Sequence, residues 1–345
     1  MCSRKVQNGE VSISDSNHHD SGYKELFSYP ELVQQLIEGF APPEIAALMD
    51  FSTLQLESGH YITPLFEEKR EDLVWSVQAN WQGERQTLYL YLLIEFQSRI
   101  DQTMPLRLMH YVAGFYSHLL KTKQTTARRG LPPVFPIVLY NGLVRWSAQQ
   151  DIFNLIKPEV PDILRAYQPR LRYYLIDEGA YSDELLEATE NTVSGVFSIE
   201  KASHSKVQME RVVARMVRLI QQEPHKERID KVVTRWLKRH FHRLGDTHNW
   251  ERIHSLTEDH AMITENLKTW AEKERAEGVQ QGIQQGIQQG IQQGIQQGIQ
   301  QGVQQHLQEV VLNMLQAGLP DEQVMNIAKV SAQELAEIKA QQMKH

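Results

Sequence analysis

The run Leu88-Tyr89-Leu90-Tyr91-Leu92-Leu93-Ile94 reads as an apolar strand, and Glu95 interrupts it. A charge in such a place is costly unless something pairs with it. A helical pattern follows over 104–121, with Leu106, Leu108, Tyr111, Val112, Phe115 and Leu119 on its apolar positions. Val134 to Tyr140 is a short apolar run between Pro132-Pro133 and Asn141-Gly142, the pattern of a buried strand closed by a turn. Strand, helix and buried strand in that order predict an α/β sheet with a right-handed crossover.

Period-2 geometry puts Glu95 and Gln97 on one face of their strand, with Phe96 on the other. Asp72 opens a second strand-like run, Leu73-Val74-Trp75-Ser76-Val77, and Gln82-Gly83-Glu84 is placed to turn that strand into the next. Two adjacent strands then bring Asp72 and Glu95 to one point. Hard oxygen ligands gathered in this way suit Mg²⁺ or another divalent cation such as Ca²⁺ or Mn²⁺. The chemistry they suit is metal-assisted phosphodiester hydrolysis, in which the cation acidifies a bound water and screens charge on the phosphate. Gln97 would position water or phosphate through its amide, since an amide is no base at neutral pH. Glu25, on a short helical segment before Ser28, is a candidate further acid. By spacing alone, the same residues also suit an edge-strand glutamate and a turn aspartate facing solvent.

No apolar stretch in the 345 residues approaches the roughly 20 needed to span a bilayer. The opening Met-Cys-Ser-Arg-Lys-Val is polar, unlike a signal peptide. Cys2 is the only cysteine, which excludes an internal disulfide and a multi-cysteine zinc site and fits a reducing cytoplasm. The net charge of −7 is unevenly spread. Residues 177–200 hold seven acids and no Lys or Arg, whereas residues 201–243 hold twelve Lys/Arg against four acids. The overall acidity argues against a general nucleic-acid coat protein. Basic regions beside an acidic one are compatible with a polyanion held against a metal site, and equally with solvated helical faces. Within the basic stretch, Arg211, Arg215 and Arg218 share one side of a helix and are candidates for DNA-backbone contact.

Residues 1–19 are polar and aperiodic, as expected of a disordered N-terminus. Ser28-Tyr29-Pro30-Glu31 reads as a helix start, with Ser28 as N-cap and Glu31 at N3. Residues 51–57, 61–67, 73–79, 87–97 and 171–176 read as strands, and the chain from Asp183 onward reads as helical. His240 and His242, with His248, His254 and His260 nearby, do not form a metal site on this reading. An i, i+2 spacing on a helix points the first pair apart, so surface histidines are expected.

From Gly278 to Gln305 the tetrad Gly-Ile/Val-Gln-Gln occurs seven times in succession. On a helix each unit advances ~400°, so the Ile stripe drifts by ~40° per unit. A glycine every fourth residue costs roughly 1 kcal/mol relative to alanine. A flexible or weakly helical spacer is the expectation, with a helix stabilised in a homo-oligomer as the alternative. Beyond it, Leu307 to Leu315, Val324 to Ala328 and Leu335 to Ile338 give three apolar stripes of a helical tail, broken at Gly318-Leu319-Pro320-Asp321. Its outline suggests a helix-turn-helix, but Glu334 and Glu337 suit a DNA groove poorly, so docking or self-association is expected of it.

Several blocks resemble one known family. They are His19-Asp20-Ser21-Gly22-Tyr23-Lys24-Glu25-Leu26-Phe27, Arg70-Glu71-Asp72-Leu73 and Ile94-Glu95-Phe96-Gln97-Ser98-Arg99, then Met104-Pro105-Leu106-Arg107-Leu108-Met109-His110-Tyr111 and Pro133 to Gly142. Together they look like the recombination-promoting nucleases, also called transposases of the YhgA type, over about residues 18 to 200. The resemblance implies a PD-(D/E)XK restriction-endonuclease-like core, a mixed sheet flanked by helices, that cuts DNA with a divalent cation in recombination or DNA mobilisation. It implies Asp72 and Glu95 as metal ligands, and it puts Gln97 where the wider superfamily usually has lysine. Lys24, Arg107 and Tyr111 fall in matching blocks and are candidates for phosphate contact or for packing; the last two lie four apart on one face of the crossover helix. The expected organisation is a disordered segment 1–19, a nuclease-like domain 20–200, a basic helical region 201–277, the repeat 278–305 and a helical tail 306–345. The alternative function is a DNA-binding adaptor with a catalytically weak or inactive nuclease fold.

Overall fold

In the computed structural model, the described residues are 22–57, 73–95, 100–142, 144–204, 206–244 and 250–342. The frame is a five-stranded sheet in the order β1 (Met49–Leu56), β2 (Leu73–Trp81), β3 (Glu84–Glu95), β4 (Val134–Tyr140) and β5 (Tyr174–Asp177). The first three strands are antiparallel; β4 and β5 run parallel to β3. The β2–β3 hairpin closes Trp81 against Glu84 through Gln82 (φ 55°) and Gly83 (φ 78°). Two left-handed residues in a two-residue loop match the right-handed twist of the flanking strands.

β3 is buried on both faces because each is covered by a different layer. Its even positions, Leu90, Leu92 and Ile94, join Trp75, Val77, Ile137, Leu139 and Ile176 in the main core. Its odd positions, Tyr91 and Leu93, join Val74, Val138 and Tyr173 on the opposite side. That second face is covered by α2 (Met104–Lys121), which presents Leu108, Tyr111, Phe115 and Leu119 to it. The crossover from β3 through α2 to a parallel β4 is therefore present, with the helix at the expected bounds.

The main core is roofed by α1 (Pro30–Phe40) and by helices from the second half: α3 (Asp183–Ala188), α4 (Thr192–Lys201), α5 (Lys206–Gln222) and α6 (Lys226–Arg243). α4 is buried from Thr192 to Ile199, and Asn191 caps it by accepting from the Ser194 N–H at 2.8 Å. On α6 the inward face runs Ile229, Val233, Trp236, Leu237, His240 and Phe241. The same core continues through Trp250, Ile253 and Leu256 to Trp270, with Phe241 and Trp250 stacked at 4.1 Å. Residues 201–271 thus belong to the unit Met1–Ala271, and residue 200 is not a boundary of the core.

Three local expectations are corrected. Ser28 is not the N-cap of α1: Tyr29 holds that position without a side-chain cap, and Ser28 Oγ donates instead to the Lys24 carbonyl (2.6 Å), closing the preceding helical turn. The strand expected from Leu171 starts three residues later, because Leu171 to Tyr173 pair with residues 150–152 outside the sheet. His240 is buried rather than on the surface, being four residues after Trp236 on the inward stripe, whereas His242 is exposed. The strand expected at 61–67 and the segment 1–19 lie outside the described residues.

The second unit is Glu272–His345. One helix, α7 (His260–Gln316), runs from the first unit through the whole repeat. Of the two expectations, spacer and helix, the repeat takes the helical form. Its ends carry packed residues, Ile263 and Leu267 before the repeat and Val311 after it. Nucleation is the costly step in helix formation, so a segment flanked by nucleated turns needs only to propagate. The repeat isoleucines remain 57% to 63% exposed. α7 ends in a Schellman arrangement: Leu319 N–H donates to Met314 O, Gly318 N–H to Leu315 O, and Gly318 has φ 82°. α8 (Asp321–Ala328) and α9 (Ala332–Gln342) follow, and Val311, Val324, Val330, Leu335 and Ile338 form a small core. A capping box joins Ser331 and Glu334 at the start of α9.

Candidate functional site

The carboxyl ends of the parallel strands supply the site. Register places Glu95 beside Tyr140 and Tyr140 beside Asp177. All three share the parity of Leu93, Val138 and Leu175, so their side chains belong to the α2 face. With neighbouring strands about 4.8 Å apart, the Glu95 and Asp177 backbones are separated by roughly 10 Å.

Glu95 is 2% exposed, and its Oε2 accepts from Arg107 Nη1 at 2.8 Å. That ion pair explains how a charge ends an apolar strand. Burying a lone carboxylate costs several kcal/mol, and a guanidinium in hydrogen-bonding contact offsets it. Arg107 is set by α2: its Nε donates to Tyr111 Oη (3.1 Å) one turn on, and the guanidinium lies 5.5 Å from the centre of that ring. Tyr111 in turn stacks on Tyr91 of β3 at 6.2 Å. Asp101 approaches Arg107 Nη1 at 3.7 Å, while its other oxygen accepts from Thr103 N–H (2.8 Å) and Oγ1 (2.6 Å) just ahead of α2.

The aromatic wall beside this pair is tied down as well. Trp146 N–H donates to Asp177 Oδ2 (3.3 Å), and its Nε1 donates to Tyr173 Oη (3.0 Å). Burial pushes the Tyr173 hydroxyl up to about 12, with the Trp146 donation pulling the other way and Asp101 adding to the rise. Burial also raises Tyr140, reinforced by the charges of Asp177 and Glu95. A Cβ at Gly142 would run into the buried Tyr140 ring and its hydroxyl, so the Asn141-Gly142 turn needs its glycine.

Behind the sheet edge, on the main-core side, Tyr23 Oη donates to Glu178 Oε2 (3.0 Å) and accepts from Asn141 Nδ2 (3.3 Å). Burial raises Glu178 well above the carboxylate range, and the charge of Glu200 adds to it although the Tyr23 bond opposes it. Glu200 also carries Arg243 (2.9 Å) and the buried His240 (3.3 Å). Neither Asp177 nor Glu178 stands out in the sequence, where they only follow an apolar run; the parallel register brings them to the edge.

Other sequence candidates fall elsewhere. Glu25 is held by Arg235 Nε (2.6 Å) and Arg239 Nη1 (2.5 Å) of α6, which ties the first helical turn to the second half of the chain. Lys24 adjoins it and is half-buried. Arg211, Arg215 and Arg218 do share one side of α5 and line a groove of about 300 Å³ with Asp183, Glu187 and Glu190. Arg211 pairs with Glu187 (2.6 Å). Arg215 donates to the carbonyls of Leu186 and Thr189, so it is committed to packing, and Arg218 is exposed. Asp72 and Gln97 lie outside the described residues. Leu73, which follows Asp72, pairs with Leu92, three residues before Glu95. Among the described residues no three His, Cys, Asp or Glu side chains gather closely enough to hold an ion. The hard carboxylate oxygens of Glu95 nevertheless have the donor chemistry for a divalent cation.

No solved structure matches the chain. Among curated proteins it is 32% identical over 133 residues to the recombination-promoting nuclease RpnD of Escherichia coli O157:H7, covering 38% of this chain and 48% of that protein. It is 33% identical over 129 residues to the recombination-promoting nuclease RpnA of Escherichia coli K12, covering 37% and 41%. The inactive recombination-promoting nuclease-like protein RpnE of the same strain is 28% identical over 127 residues, covering 37% and 40%. The alignments thus span less than half the length of these relatives. A family profile described as "Putative transposase, YhgA-like" matches residues 17–231, well over half of the sequence, and the chain belongs to that family.

Proposed function

We propose that the protein is a divalent-metal-dependent DNA endonuclease acting in recombination or DNA mobilisation, with a core of the PD-(D/E)XK kind. The observation that carries this reading is Glu95, a buried carboxylate ending β3 and held by a guanidinium at the carboxyl end of the parallel strands of a mixed sheet. Ligands in open α/β sheets bind outside the carboxyl ends of the strands. Nuclease relatives support DNA as the substrate. Asp72 and Glu95 would hold the cation, Mg²⁺ or Mn²⁺ or Ca²⁺. When bound, such a cation supplies a water of lowered pKa and positive charge beside the phosphate. Gln97 orients water or phosphate through its amide, and Arg107, with Tyr111, faces the phosphate side of Glu95. Exposed Arg218 contributes backbone attraction at a distance. The repeat helix, with its exposed isoleucines, gives a second copy of the chain a surface to meet.

A second reading, a DNA-binding adaptor that does not cut, is favoured by one observation: a relative of comparable similarity is named inactive. Supercoiled plasmid incubated with the full chain and Mg²⁺ or Mn²⁺ separates the two. Nicking that disappears in Asp72→Ala and Glu95→Ala supports the nuclease; retarded but intact plasmid under every cation supports the adaptor.

A further inference from the structure

We infer that the surface cavity beside the helical turn Ile152–Leu155 takes one unpaired nucleotide of a DNA strand, its base against Phe153 and its phosphate on Lys157. This deepens the nuclease reading, on which it rests for DNA as the polymer. The cavity holds about 330 Å³ and is lined by Gln149, Phe153, Asn154, Lys157, Glu159 and Arg165 among others. That volume lies at the low end for small-molecule sites, about 300–1,000 Å³, and suits a single nucleotide. Phe153 is half-buried and so lies deeper than the exposed Gln149, Asn154 and Lys157. Asp151 accepts from the Phe153 N–H at 2.9 Å and fixes the turn that carries the ring. The Arg170 guanidinium lies 5.5 Å from the ring centre without lining the cavity, so it holds the ring from another side.

The polar groups match a base and a phosphate. Asn154 Nδ2 donates to Gln149 Oε1 at 3.3 Å, which leaves the Gln149 amide N–H groups and the Asn154 amide oxygen for a base edge. Glu159 and Asp162 are both taken by Arg165, at 3.0 and 3.1 Å. Among the described lining residues, Lys157 is the cation left without a carboxylate. A ring, amides and a lone ammonium suit a splayed-out nucleotide, whereas the stacked and paired bases of a duplex cannot enter such a pocket. The surface continues past the cavity. The helical turn Asp162–Arg165 leads into Tyr167, which stands four residues after Ile163 on one face, and both are 81% exposed. No other large apolar side chain among the described residues is as exposed. Tyr167 offers a stacking face to a neighbouring base, and the exposed Arg170 and Arg172 follow it to meet backbone phosphates. The cavity is also joined to the candidate site. The Gln149 carbonyl accepts from Tyr173 Oη (3.0 Å), that hydroxyl accepts from Trp146 Nε1, and the Trp146 N–H donates to Asp177. Three hydrogen bonds thus connect the pocket to the sheet edge that carries Glu95 and Asp177.

The test is fluorescence polarisation with the full chain in EDTA, so that no cleavage intervenes. The probes are a labelled mixed-sequence DNA strand of about 15 nucleotides, the duplex of that sequence and the corresponding RNA strand. The variants are Phe153→Leu, Lys157→Gln and Tyr167→Ala. Leucine keeps apolar bulk and removes the ring, and Lys157 and Tyr167 are exposed, so their variants test binding rather than folding. Phe153→Leu is expected to weaken single-strand binding about tenfold and duplex binding less than about twofold, and Tyr167→Ala to weaken single-strand binding about fivefold. Lys157→Gln makes the dependence of log Kd on log salt shallower by about 0.7 on the single strand. Single-strand binding within about twofold of wild type in both Phe153→Leu and Tyr167→Ala, an equal loss on the duplex, or tighter binding of the RNA strand overturns the inference. Cation-dependent plasmid nicking alongside any of these results leaves the nuclease reading standing. The expected single-strand losses in a chain that never nicks plasmid support the pocket and remove the nuclease reading instead.

Discussion

Arg107 and Glu95 meet at 2.8 Å across the junction of α2 and β3, a buried ion pair joining the crossover helix to the strand it follows. Removing one member of such a pair strands a charge in the interior. Arg107→Met is therefore expected to cost about 3–5 kcal/mol, and adding Glu95→Gln in the same chain to recover most of it. Urea denaturation of the two singles and the double gives the coupling; strictly additive losses would show that the pair contributes little.

Glu178 makes stability depend on pH. Its folded pKa is raised, so the folded state holds a proton that the unfolded state releases. The stabilisation is complete below the ordinary carboxylate range and fades as pH rises through the raised value. Glu178→Gln should remove this dependence, with its advantage over wild type growing as pH rises above the ordinary carboxylate range. Parallel pH–stability curves for the two proteins would contradict it.

Asp230 tests whether residues beyond 200 belong to the core. Its carboxylate accepts from Leu256 N–H (2.7 Å), Ser255 Oγ (2.5 Å), Thr257 Oγ1 (2.7 Å) and Thr234 Oγ1 (3.1 Å). Hydrogen bonds to a buried charge contribute about 1.5–3 kcal/mol each in favourable cases, so Asp230→Ala should cost on the order of 3 kcal/mol. Loss of the sheet and helix signals in one transition is the expected result. Early melting of helical signal alone would make 201–271 a separate domain.

The repeat glycines have open space where a Cβ would go: Gly282, Gly286, Gly290 and Gly294 meet nothing within 4 Å. Alanine at all four should stabilise α7 by about 1 kcal/mol per site. Slower amide exchange across residues 278–305 would follow; unchanged exchange would mean the segment is not held as a helix.

The strands and helix that build the site were legible because their signals are local. The apolar run to Glu95, the 104–121 periodicity and the Gln82-Gly83 turn each follow from residues close in sequence. What stayed hidden depends on distant partners. Tyr23 reaches Glu178 across 155 positions, and Glu25 meets arginines more than 200 residues on. His240 reads as a surface residue until the helix face around Trp236 is known to be inward. The repeat helix was legible only as the alternative to a spacer, because glycine propensity weighs against it while its support comes from packed turns at both ends.

The most direct test of the nuclease account is the initial rate of plasmid nicking by wild type and Glu95→Ala at matched Mg²⁺ or Mn²⁺. The account predicts cation-dependent nicking by wild type that falls by at least about 100-fold in the variant, with DNA binding retained. Equal rates for the two proteins would contradict it.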